Sequence, residues 1–225
     1  MRFAEAAVRL ERLPDRLAGT VGAGRLPPGP AVLMPVFTDG RARADVRLDA
    51  VAGDRPAAVL VLVVPSSSGS AAVILTERAT YDGIHSGEVS FPGGKVERDD
   101  TDIEGTALRE ATEEIGLDPA AARVELLGRL DTLRIPVSRF SLTPIVALAR
   151  RRPVLRPSES EVARIIEAPL AAFLPGAPIE IVERMVRDWP LRYGGYRLDG
   201  LHVWGATARI LGQLGAVIAE LVVGP

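Results

Sequence analysis

"GGKVERDDTDIEGTALREATEEIGL", Gly93 to Leu117, joins a pair of glycines to a run of acid. Read at helical spacing, it predicts a helix over about Asp102 to Ile115. Thr101 with Glu104 three residues on matches a capping box. Gly116, followed by Asp118-Pro119, stops the helix. Ala107, Leu108, Ala111 and Ile115 fall on one side and suit packing against a sheet. Glu110, Glu113 and Glu114, spaced i, i+3, i+4, share the other side. Three carboxylates so close repel one another, and toward the C-terminal half the helix dipole disfavours them again.

A divalent cation resolves that conflict, because hard ions such as Mg²⁺ take oxygen ligands and remove the repulsion. The competing explanation is a solvated acidic face, with Arg109 relieving Glu113. Context weighs against it. The glycines let the backbone approach a ligand closely. Free N–H groups there suit phosphate oxygens, and a carbonyl there can reach a metal. The order strand, glycine pair, short loop, capped helix, acids is more informative than any one part.

The chain has 225 residues, 47% hydrophobic and 25% charged, an ordinary soluble composition with material for a sizeable core. A net charge of -2 offers no broad basic field to nucleic acid or an anionic membrane. There is no cysteine, which excludes disulfides, thiolate metal sites and a cysteine nucleophile. The N-terminus lacks the apolar core of a signal peptide. Arg209, Gln213 and Glu220 interrupt the C-terminal apolar run, so a packed helix over about Ala206 to Leu221 is expected rather than a membrane span. The cytoplasm is the expected compartment.

Residues 3–22 read as one amphipathic helix and Gly24–Pro30 as a stiff linker. Ala31–Phe37 reads as a strand. "PAAVLVLVVP", Pro56–Pro65, is apolar throughout, the mark of a strand buried on both faces. A Ser/Gly turn leads to a second strand, Ala71–Ala79, as a hairpin. Two further strands are expected in "RVELLGRLDTL" and "RFSLTPIVALA". A loop, short strand and helical turn follow in "PSESEVARIIEAPLAAFL", and a strand over about Tyr196–Val203. Residues 1–54 are expected to form an extension and residues 55–225 one α/β domain with a mixed sheet.

Gly93–Leu117 resembles the Nudix box, G-x5-E-x7-R-E-U-x-E-E-x-G-U with U aliphatic. Gly94, Arg109, Glu110, Glu113, Glu114, Gly116 and Leu117 occupy its defining positions, with Ala111 at the first aliphatic one. Fourteen residues separate Gly94 from Arg109 where the pattern has thirteen. Counting from Gly94 puts the first acid at Asp100; counting from Arg109 puts it at Thr101. The resemblance implies an α/β/α sandwich around a mixed β-sheet, and hydrolysis of a nucleoside diphosphate linked to another moiety. It implies Mg²⁺ or Mn²⁺ held by Glu110, Glu113 and Glu114, with the Gly94 carbonyl, and Arg109 orienting the carboxylates.

The flanks "ILTERATYDGIHSGEVSFPGGK" and "TALREATEEIGL" are similar to the coenzyme A pyrophosphatase branch, with Ala79 and Arg139 standing where Ser and Gly are usual. That similarity runs from about Arg55 to Leu211 and implies coenzyme A or its thioesters as substrate, and a homodimer. Gly93, Gly94, Arg78 and Lys95 are candidate substrate contacts, the last two weighed against plain surface charge at strand ends. His85 either touches substrate or holds a turn. The general base is either a box glutamate or a downstream acid, Glu159 or Glu161. Phe91 and Trp204 are expected in the core, and His202 in a structural role. The alternatives are an ADP-ribose or dinucleotide pyrophosphatase, and a non-catalytic ligand sensor, which the full set of box acids disfavours.

Overall fold

Pro56–Pro65 owes its unbroken apolar run to its position at the centre of the main sheet, where neither face meets water. The computed structural model describes residues 1–17, 26–39, 53–79, 88–135, 138–186 and 189–221. In chain order the N-terminal elements are α1 (Phe3–Leu10), α2 (Leu13–Leu17), β1 (Val36–Phe37), β2 (Arg55–Pro65), β3 (Ala71–Arg78), β4 (Val89–Ser90) and β5 (Gly93–Lys95). There follow α3 (Ile103–Ile115), α4 (Pro119–Ala122), β6 (Val124–Arg129), β7 (Leu133–Ile135), β8 (Phe140–Ala149) and β9 (Val162–Pro169). The chain closes with β10 (Glu180–Val186), β11 (Trp189–Leu198), β12 (Leu201–Val203) and α5 (Gly205–Glu220).

The main sheet runs β4-β3-β2-β8-β6, with β5 on β2, β7 on β8 and β9 on β3. Only the β2–β8 pairing is parallel, so the sheet is mixed, as expected. The two-residue period of a strand sends alternate side chains of β2 to opposite layers. Val59, Val61 and Val63 join Leu10, Leu13, Ile210 and Leu214 on the side of α1, α2 and α5. Ala58, Leu60, Leu62 and Val64 join Ala107, Ala111 and Ile115 of α3 on the other. The result is the α/β/α sandwich.

Local chemistry corrects several boundaries. The expected helix over 3–22 breaks after Leu10 and resumes at Leu13. Pro14 has no N–H to donate and its ring crowds the preceding turn. Residues 18–22 lie outside the described residues. The expected strand Ala31–Phe37 is a 3-10 turn, Ala31–Leu33, leading to the two-residue β1. Pro30 and Pro35 fix φ and remove ladder donors there. The expected strand Tyr196–Val203 is a hairpin of β11 and β12. It turns at Asp199-Gly200, both at positive φ (48° and 82°), as a tight Asp-Gly turn requires. β11 also pairs with β1 and β10 in a second, four-stranded sheet.

Candidate functional site

α3 starts one residue later than its capping pattern suggests. Asp102, not Thr101, is the N-cap, and its Oδ1 accepts from the Gly105 N–H at 2.7 Å. Such a cap contributes about 1 kcal/mol. Glu104 turns away from the helix start to a bidentate pair with Arg129, both bonds 2.7 Å. Gly116, in the left-handed region at φ 63°, ends the helix.

The glycine pair lies in a strand rather than in a turn. Gly93 and Gly94 form β5 with Lys95 and pair with Val59 and Ala58 of β2. A Cβ on Gly94 would run into the Glu110 carboxylate, and one on Gly93 into the backbone of Ala58 and Val59. Close approach, not turning, is what requires glycine here.

α3 carries its acids on two different footings. Ala107, Ala111 and Ile115 pack on the sheet with no exposure, and Leu108 lies partly buried beside them. Glu113 points to solvent, at 55% exposure. Glu114 does not share that face. It is only 7% exposed, and its Oε2 accepts from the Gly93 N–H at 3.3 Å. Burial pushes its carboxyl up to about 7. The Arg78 charge and the Gly93 N–H work against that, and the charges of Glu110 and Glu161 add to it. Burial raises the Glu110 carboxyl as well, against the pull of Arg109.

Arg109 is held in place on every side. Asp100 Oδ1 accepts from its Nε at 2.8 Å and Oδ2 from its Nη2 at 3.2 Å. Its Nη1 lies 2.9 Å from both Glu110 Oε1 and Glu113 Oε2, and Nη2 donates to the Lys95 carbonyl at 3.2 Å. Asp100 is itself fixed by the Glu97 N–H and the Thr106 hydroxyl, each at 2.8 Å. The first acid of the pattern is thus Asp100, and its partner is the arginine. Thr106, fully buried, carried no signal in the sequence.

The flanking candidates fall as follows. Arg78 ends β3 at a bulge beside β9, and its charge bears on Glu114. Its Nε is buried without a hydrogen-bond partner among the described residues. Glu161 lies just before β9 and is exposed; its carbonyl accepts from the Ala79 N–H at 2.9 Å. Its charge acts on both Glu110 and Glu114. Lys95 is exposed and pairs with Glu97 at 3.4 Å. Glu159 is exposed on the loop before Glu161. His85 lies outside the described residues. Phe91 is buried in the core, whereas Trp204 is only half-buried.

Among the described residues no three acidic or histidine side chains form a ready ligand cluster. Glu110 and Glu113 are closed on the Arg109 guanidinium, and Glu114 on Gly93. The donor chemistry nevertheless suits a hard cation. It consists of carboxylates and a nearby carbonyl, and the two more buried carboxyls are raised in the way a bound positive charge relieves. Among the described residues no helix is long and apolar enough to cross a membrane.

Residues 54–173 match the NUDIX domain model. The chain is 36% identical over 170 residues to Nudix hydrolase 15, mitochondrial, of Arabidopsis thaliana, covering 73% of this chain and 59% of that protein. It thus spans less than two thirds of that relative's length. It is 34% identical over 198 residues to the Nudix hydrolase NudL of Pectobacterium atrosepticum, covering 87% of this chain and 99% of the relative. Among solved structures, the Nudix hydrolase RenU of M. smegmatis superposes with a TM-score of 0.51 at 21% identity. It covers 80% of this chain and 97% of its own, a likeness of fold.

Proposed function

The chain belongs to the Nudix hydrolase family, and from that premise we propose that it cleaves the diphosphate of coenzyme A or its thioesters with Mg²⁺ or Mn²⁺. The products are 3′,5′-ADP and 4′-phosphopantetheine or its acyl derivative. Hydrolysis of a nucleotide-linked diphosphate with a divalent ion is the family's chemistry; coenzyme A as substrate rests on the flanks of the box. One observation supports it. Arg78 and the Phe91–Lys95 segment both come from stretches similar to the coenzyme A branch, and the sheet brings both to Glu114.

Glu110, Glu113 and Glu114, with the Gly94 carbonyl, would hold the cation, which neutralises diphosphate charge and acidifies water. The chain's own residues do the rest. Arg109, locked by Asp100, fixes where the Glu110 and Glu113 carboxylates point. Gly93 and Gly94 let β2 and the Glu110 carboxylate close on the β5 backbone, which keeps that acid at the diphosphate site. Arg78 presents positive charge to a phosphate oxygen, and Lys95 does so from the rim. Water attacks one phosphorus. A new O–P bond forms, the bridging P–O bond breaks, and the bridging oxygen leaves with the other phosphate. Glu161, exposed beside the box acids and not needed as a ligand, takes the water proton. The lack of cysteine suits a reducing cytoplasm, and residues 1–54 serve as an extension of a hydrolase domain over 55–225, with Leu10, Leu13 and Leu33 of the extension packed into that domain's core.

A hydrolysis panel tests the reading, with coenzyme A, acetyl-coenzyme A, ADP-ribose and dinucleoside polyphosphates at equal Mg²⁺ and pH. Coenzyme A should give 3′,5′-ADP and 4′-phosphopantetheine. Robust turnover of ADP-ribose with none of coenzyme A would sink the branch assignment and leave an ADP-ribose pyrophosphatase. Glu161→Gln should lower kcat about 100-fold.

A further inference from the structure

The second sheet carries a cluster that the diphosphate site does not use. Residues directly opposite in a sheet share a face, so Glu180 with Gly195, Val182 with Tyr193, and Arg197 with His202 lie on one side. Just past β12, Trp204 stacks on Tyr193, with ring centroids 4.8 Å apart and planes 27° apart. The Arg184 guanidinium lies 5.1 Å from the Trp204 ring and 5.7 Å from the Tyr193 ring. The His202 ring is 6.0 Å from that of Tyr193, and its Nε2 stands where Gly195 would carry a Cβ. Glycine at 195 is therefore what admits the imidazole.

Two polar atoms in this cluster are left unspent. Tyr193 is 1% exposed, and by donor–acceptor geometry its hydroxyl has no hydrogen-bond partner among the described residues, although the Arg184 charge bears on it. His202 Nε2 is buried too, with Glu180 Oε2 no nearer than 4.0 Å. Leaving a buried hydroxyl and a buried imidazole nitrogen without partners is a costly arrangement that a structural aromatic cluster does not need. Trp204 and Arg184 themselves reach the surface.

The cluster is tied to the diphosphate site through β4. Thr207, three residues past Trp204, donates to the Val89 carbonyl of β4 at 3.0 Å. The neighbouring Glu88 carbonyl accepts from the Arg78 N–H at 3.1 Å, and the Glu88 charge bears on the Tyr193 phenol. Arg78 in turn acts on Glu114. Hydrogen bonds and charge thus link the cluster, through β4 and Arg78, to the residues at Glu114.

We propose that Trp204, Tyr193 and Arg184, with His202, form the subsite for the purine base of the nucleotide substrate. A ring face and a guanidinium suit a flat heteroaromatic ring. Trp204 and Arg184, which reach the surface, present that face, and the buried Tyr193 and partly buried His202 rings back it. The inference rests on the nucleotide-diphosphate reading above and adds the residues that grip the base.

The chain has two tryptophans, so Trp189→Phe leaves Trp204 as the sole indole emitter. In that protein AMP should quench the emission saturably, while inorganic pyrophosphate leaves it unchanged. Trp204→Leu should raise KM for the adenine-containing diphosphate about tenfold or more, with kcat within about twofold, and Trp204→Phe should restore most of the loss. If Trp204→Leu fails to fold by circular dichroism, Arg184→Ala takes its place, with about a threefold rise in KM. Unchanged emission at millimolar AMP, or an unchanged KM in the folded variant, overturns the subsite. AMP has no diphosphate to cleave, so the two readings fail separately. Quenching without any hydrolysis removes the hydrolase and keeps the subsite; hydrolysis of coenzyme A without quenching does the reverse.

Discussion

Asp100 grips Arg109 through two nitrogens of one guanidinium, Nε at 2.8 Å and Nη2 at 3.2 Å. The carboxylate is only 3% exposed and the arginine 25%. The arginine's remaining nitrogen, Nη1, faces Glu110 and Glu113, so the same planar group that satisfies Asp100 also orders the two acids. The stretch from Gly94 to Arg109 is one residue longer than the family pattern, and within it Asp100 meets the arginine.

Asp100→Asn should therefore lower turnover about 10- to 100-fold, with a stability loss of about 1 kcal/mol, since Arg109 keeps Glu110, Glu113 and the Lys95 carbonyl. The pair also has a pH signature. The hydrogen bonds from Arg109 and then from the Glu97 N–H hold the Asp100 carboxyl well below the usual range. A depressed carboxyl contributes stability above its unfolded pKa of about 3.9 and loses it as pH falls further. Urea unfolding from pH 6 to pH 3 should show wild-type stability falling below about pH 4, and a shallower fall in Asp100→Asn. Equal slopes would remove Asp100 from the acid transition.

Arg109→Lys keeps the charge and loses the planar fork that spans Asp100, Glu110 and Glu113. Turnover should fall at least tenfold while the protein stays folded. Full activity would show that a point charge is enough.

Glu113→Gln and Glu114→Gln should each lower kcat by orders of magnitude at limiting Mg²⁺, yet differ in stability. Glu113 is exposed, so its loss should shift Tm little. Glu114 is buried with its carboxyl pushed up to about 7, so removing its charge should raise Tm of the metal-free protein at pH 8. Thermal scans in EDTA separate the two; equal Tm values for wild type and Glu114→Gln would contradict the burial argument.

Gly94→Ala tests close approach. The added methyl meets the Glu110 carboxylate, a movable side chain, so the fold should survive while turnover drops about tenfold or more. Gly93→Ala meets backbone instead and should unfold more readily in urea. The reverse order would mean that β5 is not paired as described.

The sequence alone was sufficient for the elements whose signal is local. The apolar run of β2, the periodicity of α3 and the glycine that ends it are written within a dozen residues, because propensity and amphipathic spacing act over one or two turns. The same local reading failed where the contest is between neighbours. Asp102 outcompeted Thr101 for the cap, and Pro14 broke a helix whose apolar spacing ran on. β10 left no usable pattern, because a strand exposed along most of its length has no apolar alternation to read.

Tertiary structure decided what depends on partners far along the chain. Only pairing with β2 turns the glycine pair into a strand, and only the layer beneath α3 buries Glu114 while leaving Glu113 in water. Arg78 and Glu161 bear on the same carboxylate because β3 and β9 are hydrogen-bonded neighbours across more than eighty residues of sequence. Trp204 was expected in the core and lies partly buried against Tyr193, since a tryptophan beside a helix start reads alike in either place. Burial and charge coupling are properties of the packed whole. A single stretch of chain carries the groups, and the sheet decides which of them meet.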